Sequence, residues 1–199
     1  SGDPPTKPMD IFGENWKNHR EKIVNAWKET IREDDAVIMA GDLSWAMSME
    51  SAISDLTMLG TLPGRKIIVR GNHDFWWSTV TKMTAMTHGA FEFIHNSAIQ
   101  VGNVALAGTR GWISETAKTY KEDKSIILRE EGRMERSLAL AKQMKADRII
   151  AILHYPPFDE MRRPSHMMEI IAAGGADLCL YGHIHGAPNF KNLPDSLLG

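Results

Sequence analysis

The sequence predicts an α/β domain, and three observations carry the prediction. Short apolar runs of strand length alternate with longer stretches whose apolar residues recur at helical spacing. Four of these runs give way to polar residues drawn from Asp, Asn and His. The 199 residues, 43% of them hydrophobic and 24% charged, supply enough apolar material for a core and too little charge for a disordered chain.

Each element follows in order. Residues 1–8 hold Gly2, Pro4, Pro5 and Pro8 and read as a loop. Over residues 15–32, Trp16, Ile23, Trp27 and Ile31 mark a helix with one buried face. The run Ala36-Val37-Ile38-Met39-Ala40, ended by Gly41-Asp42, reads as a strand buried on both faces. A helix over 49–59 and a Pro63-Gly64 turn lead to a second such strand, residues 66–70, ended by Gly71-Asn72-His73-Asp74. A helix over 78–87 precedes short apolar pieces at 91–94, 98–101 and 104–107, and Gly102-Asn103 between the last two predicts an antiparallel hairpin. Residues 120–146 predict the longest helix, with Gly132 as its weak point. A third buried strand over 148–153 ends in His154, followed by a Tyr155-Pro156-Pro157 turn and a helix over 164–173. The fourth strand, 177–180, leads to Gly182-His183-Ile184-His185-Gly186.

Charge and composition narrow the function. With 23 Lys plus Arg against 25 Asp plus Glu, no global basic field draws nucleic acid or anionic membrane, so a nucleic-acid partner is disfavoured. No apolar stretch reaches membrane-spanning length. The single cysteine, Cys179, lies in an apolar strand and suits a reducing cytoplasm.

The chemistry collects after the strands. Ligand sites of open α/β sheets form at strand carboxyl ends, where loops converge on a rigid frame. Asp42, Asn72, His154, His183 and His185 offer oxygen and imidazole donors without thiolate, a set suited to Mn, Fe, Zn, Co or Ni. Singly, each has a structural reading: Asp42 as a helix cap, Asn72 as a turn residue, His154 as a core histidine. His183 and His185, two apart between glycines, are suited to facing one centre. The structural readings would all have to hold together at four strand ends.

These blocks, in this order, resemble those of the calcineurin-like metallophosphoesterase superfamily, and they span Gly41 to His185. The resemblance implies a four-layer α/β/β/α sandwich with two mixed sheets, a dinuclear centre of two divalent metal ions, and hydrolysis of phosphoesters, as a phosphatase or phosphodiesterase. It implies that Asp42 bridges both metals, that Asn72, His154 and His183 complete one, and that His185 binds the other. It places His73 beside the metals, contacting phosphate and protonating the leaving oxygen. Two cations about 4 Å apart would activate water and neutralise charge in an in-line attack.

The chain departs from that family twice. It has no Asp-x-His block, which the family carries on its first strand. Because residue 1 is Ser and the opening reads as a loop, a single domain over residues 1–199 is expected, with that strand and block upstream of Ser1. Where many relatives hold an acid three residues after the first aspartate, this chain has Trp45, and Asp74 is the candidate to orient His73. Arg70 and Arg110 are candidates for binding substrate phosphate. Trp45, Trp76, Trp77 and Trp112 lie in or beside these loops, where they stack on an aromatic leaving group or pack the core. The substrate expected is a small phosphoester or a nucleotide. The alternatives are a partner-binding scaffold with an incomplete metal site and a nuclease or nucleotide hydrolase of the same superfamily. Oligomeric state stays open.

Overall fold

Strands that read as apolar runs without alternation are found where parallel pairing buries both faces. In the computed structural model, which describes residues 13–114, 117–159 and 161–184, the chain divides into two compact units, each built on such strands. One unit comprises Ser1–Ile68 and Asn72–Phe93, and the other Val69–Gly71 and Ile94–Gly199.

In the first unit, a 3-10 turn at Glu14–Trp16 leads into α1 (His19–Thr30), β1 (Ala36–Met39), α2 (Met49–Gly60), β2 (Arg65–Ile68), α3 (Val80–Met86) and β3 (Glu92–Phe93). The first helix starts later than its apolar pattern predicts because Asn18, at φ 53°, leaves the right-handed helical region. Its expected buried stripe also shrinks: Trp27 is buried and donates from Nε1 to the Pro63 carbonyl at 2.9 Å, whereas Ile23 stays 50% exposed. The sheet order is β1-β2-β3, with Ala36 opposite Arg65 and Ile67 opposite Glu92. Its described strands are all parallel rather than mixed, since α2 and α3 carry the chain back to the same edge between successive strands. Side-chain caps start both helices: Ser48 accepts from the Ser51 amide and Thr79 from the Lys82 amide. Gly64 is required at the turn before β2, because at φ +86° a Cβ would lie 2.9 Å from Ile31 Cγ2. Ala52, Leu56, Ile68, Trp76, Met83 and Phe91 pack the core. Burying each large apolar side chain is worth about 1.5–3 kcal/mol.

The second unit holds β4 (Ala98–Val101), β5 (Val104–Thr109), α4 (Tyr120–Gln143), β6 (Arg148–Leu153), α5 (His166–Ala173) and β7 (Leu178–Tyr181). Its sheet, in the order β4-β5-β6-β7, is mixed: the predicted Gly102-Asn103 hairpin makes β4 and β5 antiparallel, and β5, β6 and β7 run parallel. Helix α4 passes through Gly132 without a break, and a Cβ there would meet nothing within 4 Å. Gly108 is different in kind. A Cβ on it would approach Ile152 O and Val69 Cγ1 to 2.8 Å, so the close approach of the chain there depends on glycine. Met134, Leu138 and Ala141 of α4 cover Ala105, Ala107, Ala151 and Leu153 of the sheet. No helix among the described residues is long and apolar enough to cross a membrane.

Candidate functional site

Parallel neighbours end at the same edge, so residues that follow β1 and β2 in sequence meet although about thirty positions separate them. Gly41 at φ 90° and Asp42 at φ 58° make the turn after β1 left-handed, which strains a non-glycine residue. The carboxylate of Asp74 holds that turn in place. It is fully buried; its Oδ2 accepts from the Asp42 amide at 2.8 Å, and its Oδ1 from the amides of Leu43 at 2.9 Å and Ser44 at 3.3 Å and from Trp76 Nε1 at 3.0 Å. Charge-assisted bonds of about 1.5–3 kcal/mol each outweigh about 1–3 kcal/mol of backbone strain. In return Asp42 Oδ1 accepts from the His73 amide at 2.8 Å, so two carboxylates lace the two turns together. Asn72 sits half-buried in the second turn.

The His73 ring has two aromatic neighbours. Trp45 stacks on it with centroids 4.1 Å apart and planes at 26°, and Phe75 meets it edge-on at 6.0 Å. Trp45 thus packs on this histidine from the third position after Asp42, and the Asp74 carboxylate accepts from the Asp42 turn. A flat stack restricts the ring's tilt and leaves its nitrogens available at the edge.

The same edge logic applies in the second unit. His154 follows β6 and is buried, and His183 follows β7 at φ 71°. The Gly182 amide donates to the His154 carbonyl at 3.1 Å, which brings His183 Nδ1 to 3.2 Å from His154 Nε2. With no cation, one of these nitrogens carries a proton and the other its lone pair. Two imidazole nitrogens bound to one first-row cation at about 2.0–2.1 Å and near-tetrahedral angles stand about 3.3 Å apart. The pair therefore fits such a metal with little movement. Tyr155 packs on the His183 ring at 4.3 Å and Trp112 on Tyr155 at 5.1 Å.

At the end of β5 the amides of His154 and Tyr155 both donate to the Arg110 carbonyl. The Arg110 guanidinium lies 4.3 Å from the Trp112 ring centre and 3.3 Å from Glu130 Oε1. Glu130, fully buried on α4, also accepts from Thr109 Oγ1 and from Arg133 Nη1 at 2.7 Å. Burial pulls the Arg110 pKa down, Glu130 pulls it up, and neighbouring Arg70 adds to the lowering. His95 is lowered by burial first, then by Arg133 and Arg70, against an upward pull from Glu130.

Of the residues singled out by sequence, Asp42, Asn72, His73 and Asp74 thus gather in one unit, and His154, His183, Arg70 and Arg110 belong to the other. His185 lies outside the described residues. Glu130 was missed, although a signal exists: it stands three residues after Ile127 and four before Met134, inside the apolar stripe of α4.

A family model described as calcineurin-like phosphoesterase matches residues 10–187. No curated protein matches the chain at a significant level.

Proposed function

The chain belongs to the calcineurin-like phosphoesterase family, and from that premise we propose that it is a metal-dependent hydrolase of phosphoesters. The observation that carries the reading is the pair of imidazole nitrogens 3.2 Å apart after adjacent parallel strands, a spacing suited to one first-row divalent cation. In the proposal, as the family resemblance implies, Asp42, Asn72, His154 and His183 hold one ion, and Asp42 and His185 the second. Mn, Fe, Zn, Co and Ni all suit the donor set. When bound, such ions supply Lewis acidity toward phosphate oxygens and lower the pKa of water.

The side chains do the rest. The buried Asp74 carboxylate keeps Asp42 in its left-handed turn, so the ligand oxygen is aimed before any ion arrives. His73, steadied by Trp45, delivers a proton to the leaving alkoxide. Arg70 and Arg110 meet substrate phosphate. A cytoplasmic setting completes the proposal, supported by the lone Cys179, whose thiol burial pushes up to about 12.

The test is hydrolysis of an aryl phosphate monoester and diester, and of nucleotides, by protein loaded with Mn. Turnover that needs the ion, with ion binding and turnover both lost in Asp42→Asn, is the expected result. Protein that binds two ions per chain yet turns over none of these substrates refutes the reading and favours a partner-binding scaffold.

A further inference from the structure

We infer that Phe75 and Trp45, the two rings around His73, form a seat for the leaving group of the phosphoester, and that this group is an uncharged aromatic alcohol. The inference rests on the reading of His73 as the residue that protonates the leaving oxygen, and it adds the class of substrate.

Position comes first. In the step the P–O bond to the alcohol breaks, its electron pair goes to the alcohol oxygen, which takes a proton from His73, and the phosphorus gains an oxygen from water. The departing alcohol therefore lies beside the side chains that flank His73. Those are aromatic: Trp45 lies flat on the imidazole with centroids 4.1 Å apart, and Phe75 meets it at 6.0 Å with the planes at 78°.

The backbone holds these rings in place. Phe75 is 44% exposed, although Asp74 before it and Trp76 after it are 0% and 2% exposed. The Phe75 amide donates to the His73 carbonyl at 2.9 Å and the Trp77 amide to the Asp74 carbonyl at 3.2 Å, so the turn keeps Phe75 from following its neighbours inward. Trp45 likewise stands between two buried residues, Ser44 and Ala46. Ser44 Oγ donates to the buried Asp55 Oδ2 at 2.7 Å and accepts from the Ala46 amide at 3.3 Å. Rings fixed before binding lose little freedom when a ligand arrives. Of the large apolar side chains exposed in the first unit, Met47, Phe75 and Val80 lie in the segments that follow β1 and β2, and Ile23 alone lies elsewhere among the described residues. Apolar exposure concentrated at one place marks a binding surface.

Charge selects the occupant. Residues 43–49 and 75–81 contain no Asp, Glu, Lys or Arg. The first charges beyond them, Glu50 and Lys82, pair with each other at 3.6 Å. A charged leaving group, such as a nucleoside bearing a further phosphate or a basic peptide, meets no counter-charge on these segments. An aromatic alcohol exchanges water for ring contacts there. The neighbouring tryptophans have other work: Trp76 is buried and donates to Asp74, and Trp77 packs on Phe93.

The test compares benzyl with ethyl phosphate, whose alcohols are of similar acidity, and dibenzyl with diethyl phosphate, as substrates of the Mn-loaded protein. Benzylphosphonate and ethylphosphonate, which are not hydrolysed, give the same comparison as dissociation constants by calorimetry. Both kcat/KM and affinity are expected to favour benzyl about tenfold or more in the wild type. Phe75→Ala should reduce that ratio to about twofold or less, and Phe75→Leu, which keeps apolar bulk and loses the ring, should fall with it. Ile23→Ala, at the exposed apolar residue of α1, should keep the wild-type ratio. The ratio cancels any effect of a variant on the fold, on His73 or on the ions, since those strike both ligands alike. A wild-type ratio near one, or a preference that Phe75→Ala leaves intact, overturns the inference, and turnover of the ethyl esters then leaves the hydrolytic reading standing. A ratio that Phe75→Leu keeps in full overturns the aromatic assignment. A Phe75-dependent preference between the phosphonates, without turnover of any ester, keeps the seat and refutes hydrolysis. Protein that binds neither phosphonate and turns over no ester overturns both.

Discussion

Replacing Asp74 by Asn tests what its carboxylate does. Oδ1 accepts from Leu43, Ser44 and Trp76, and Oδ2 from the Asp42 amide. An amide has one oxygen, which will keep the side with three donors and turn its own NH2 toward the Asp42 N–H. One donor then loses its acceptor, at about 1–3 kcal/mol, and the remaining bonds lose charge assistance worth about 1 kcal/mol more. A total of about 3 kcal/mol lowers the melting temperature of a domain of this size by about 6–12 °C. Differential scanning calorimetry measures the shift, and titration with Mn measures whether ion affinity falls with it, since Asp42 would no longer be held at φ 58°. A melting temperature within about 2 °C of wild type, together with abolished turnover, would refute the argument. Asp74 would then act on the reacting groups through His73 and not on the Asp42 turn.

Other predictions follow from the same geometry. Trp45→Ala removes the stack on His73, so turnover should fall while Mn stoichiometry holds; loss of bound Mn would show that Trp45 supports the ligands instead. Saturating Mn at about 100 times its dissociation constant should stabilise wild type by about 2.7 kcal/mol in urea denaturation, and His154→Gln should lose most of that gain. An equal gain in the variant would exclude His154 as a ligand. His95 has a folded pKa below the ordinary histidine value of 6.5, from burial and then Arg133 and Arg70. Its contribution is therefore complete above pH 6.5 and declines as pH falls through the lower folded value. The drop in urea midpoint from pH 7.5 to pH 5 should be smaller in His95→Gln, and an identical drop would show that His95 is not the group responsible.

What was legible in the sequence depended on how local the signal was. The strand at residues 148–153 was plain because a buried parallel strand is apolar at every position, and the hairpin because Gly102 takes φ +56° as a glycine can. Helix starts were legible only to within a few residues. Asn18 delayed the start of the helix predicted over 15–32 to His19 by its backbone angle, and with Thr79 as its cap α3 began at Val80, two residues into the predicted span. The strand-end polar residues stood out as candidates because their chemistry does not belong in an apolar run. Their partners did not stand out. Asp74 was read as the neighbour of His73, and the bonds its carboxylate accepts from residues 42–44, about thirty positions away, had no signal in the sequence.

The alternation of strand and helix, the turns at Gly64 and Gly102, and the family were determined by sequence alone, since periodicity, backbone permissiveness and short ordered motifs are properties of neighbouring residues. The parallel run of the first sheet, the stack of Trp45 on His73, the engagement of Asp74 by the Asp42 turn and the buried Glu130 among its arginines were decided only in three dimensions. A hydrogen bond or ring stack acts over a few ångströms and in one direction, so it depends on which distant segments packing brings side by side.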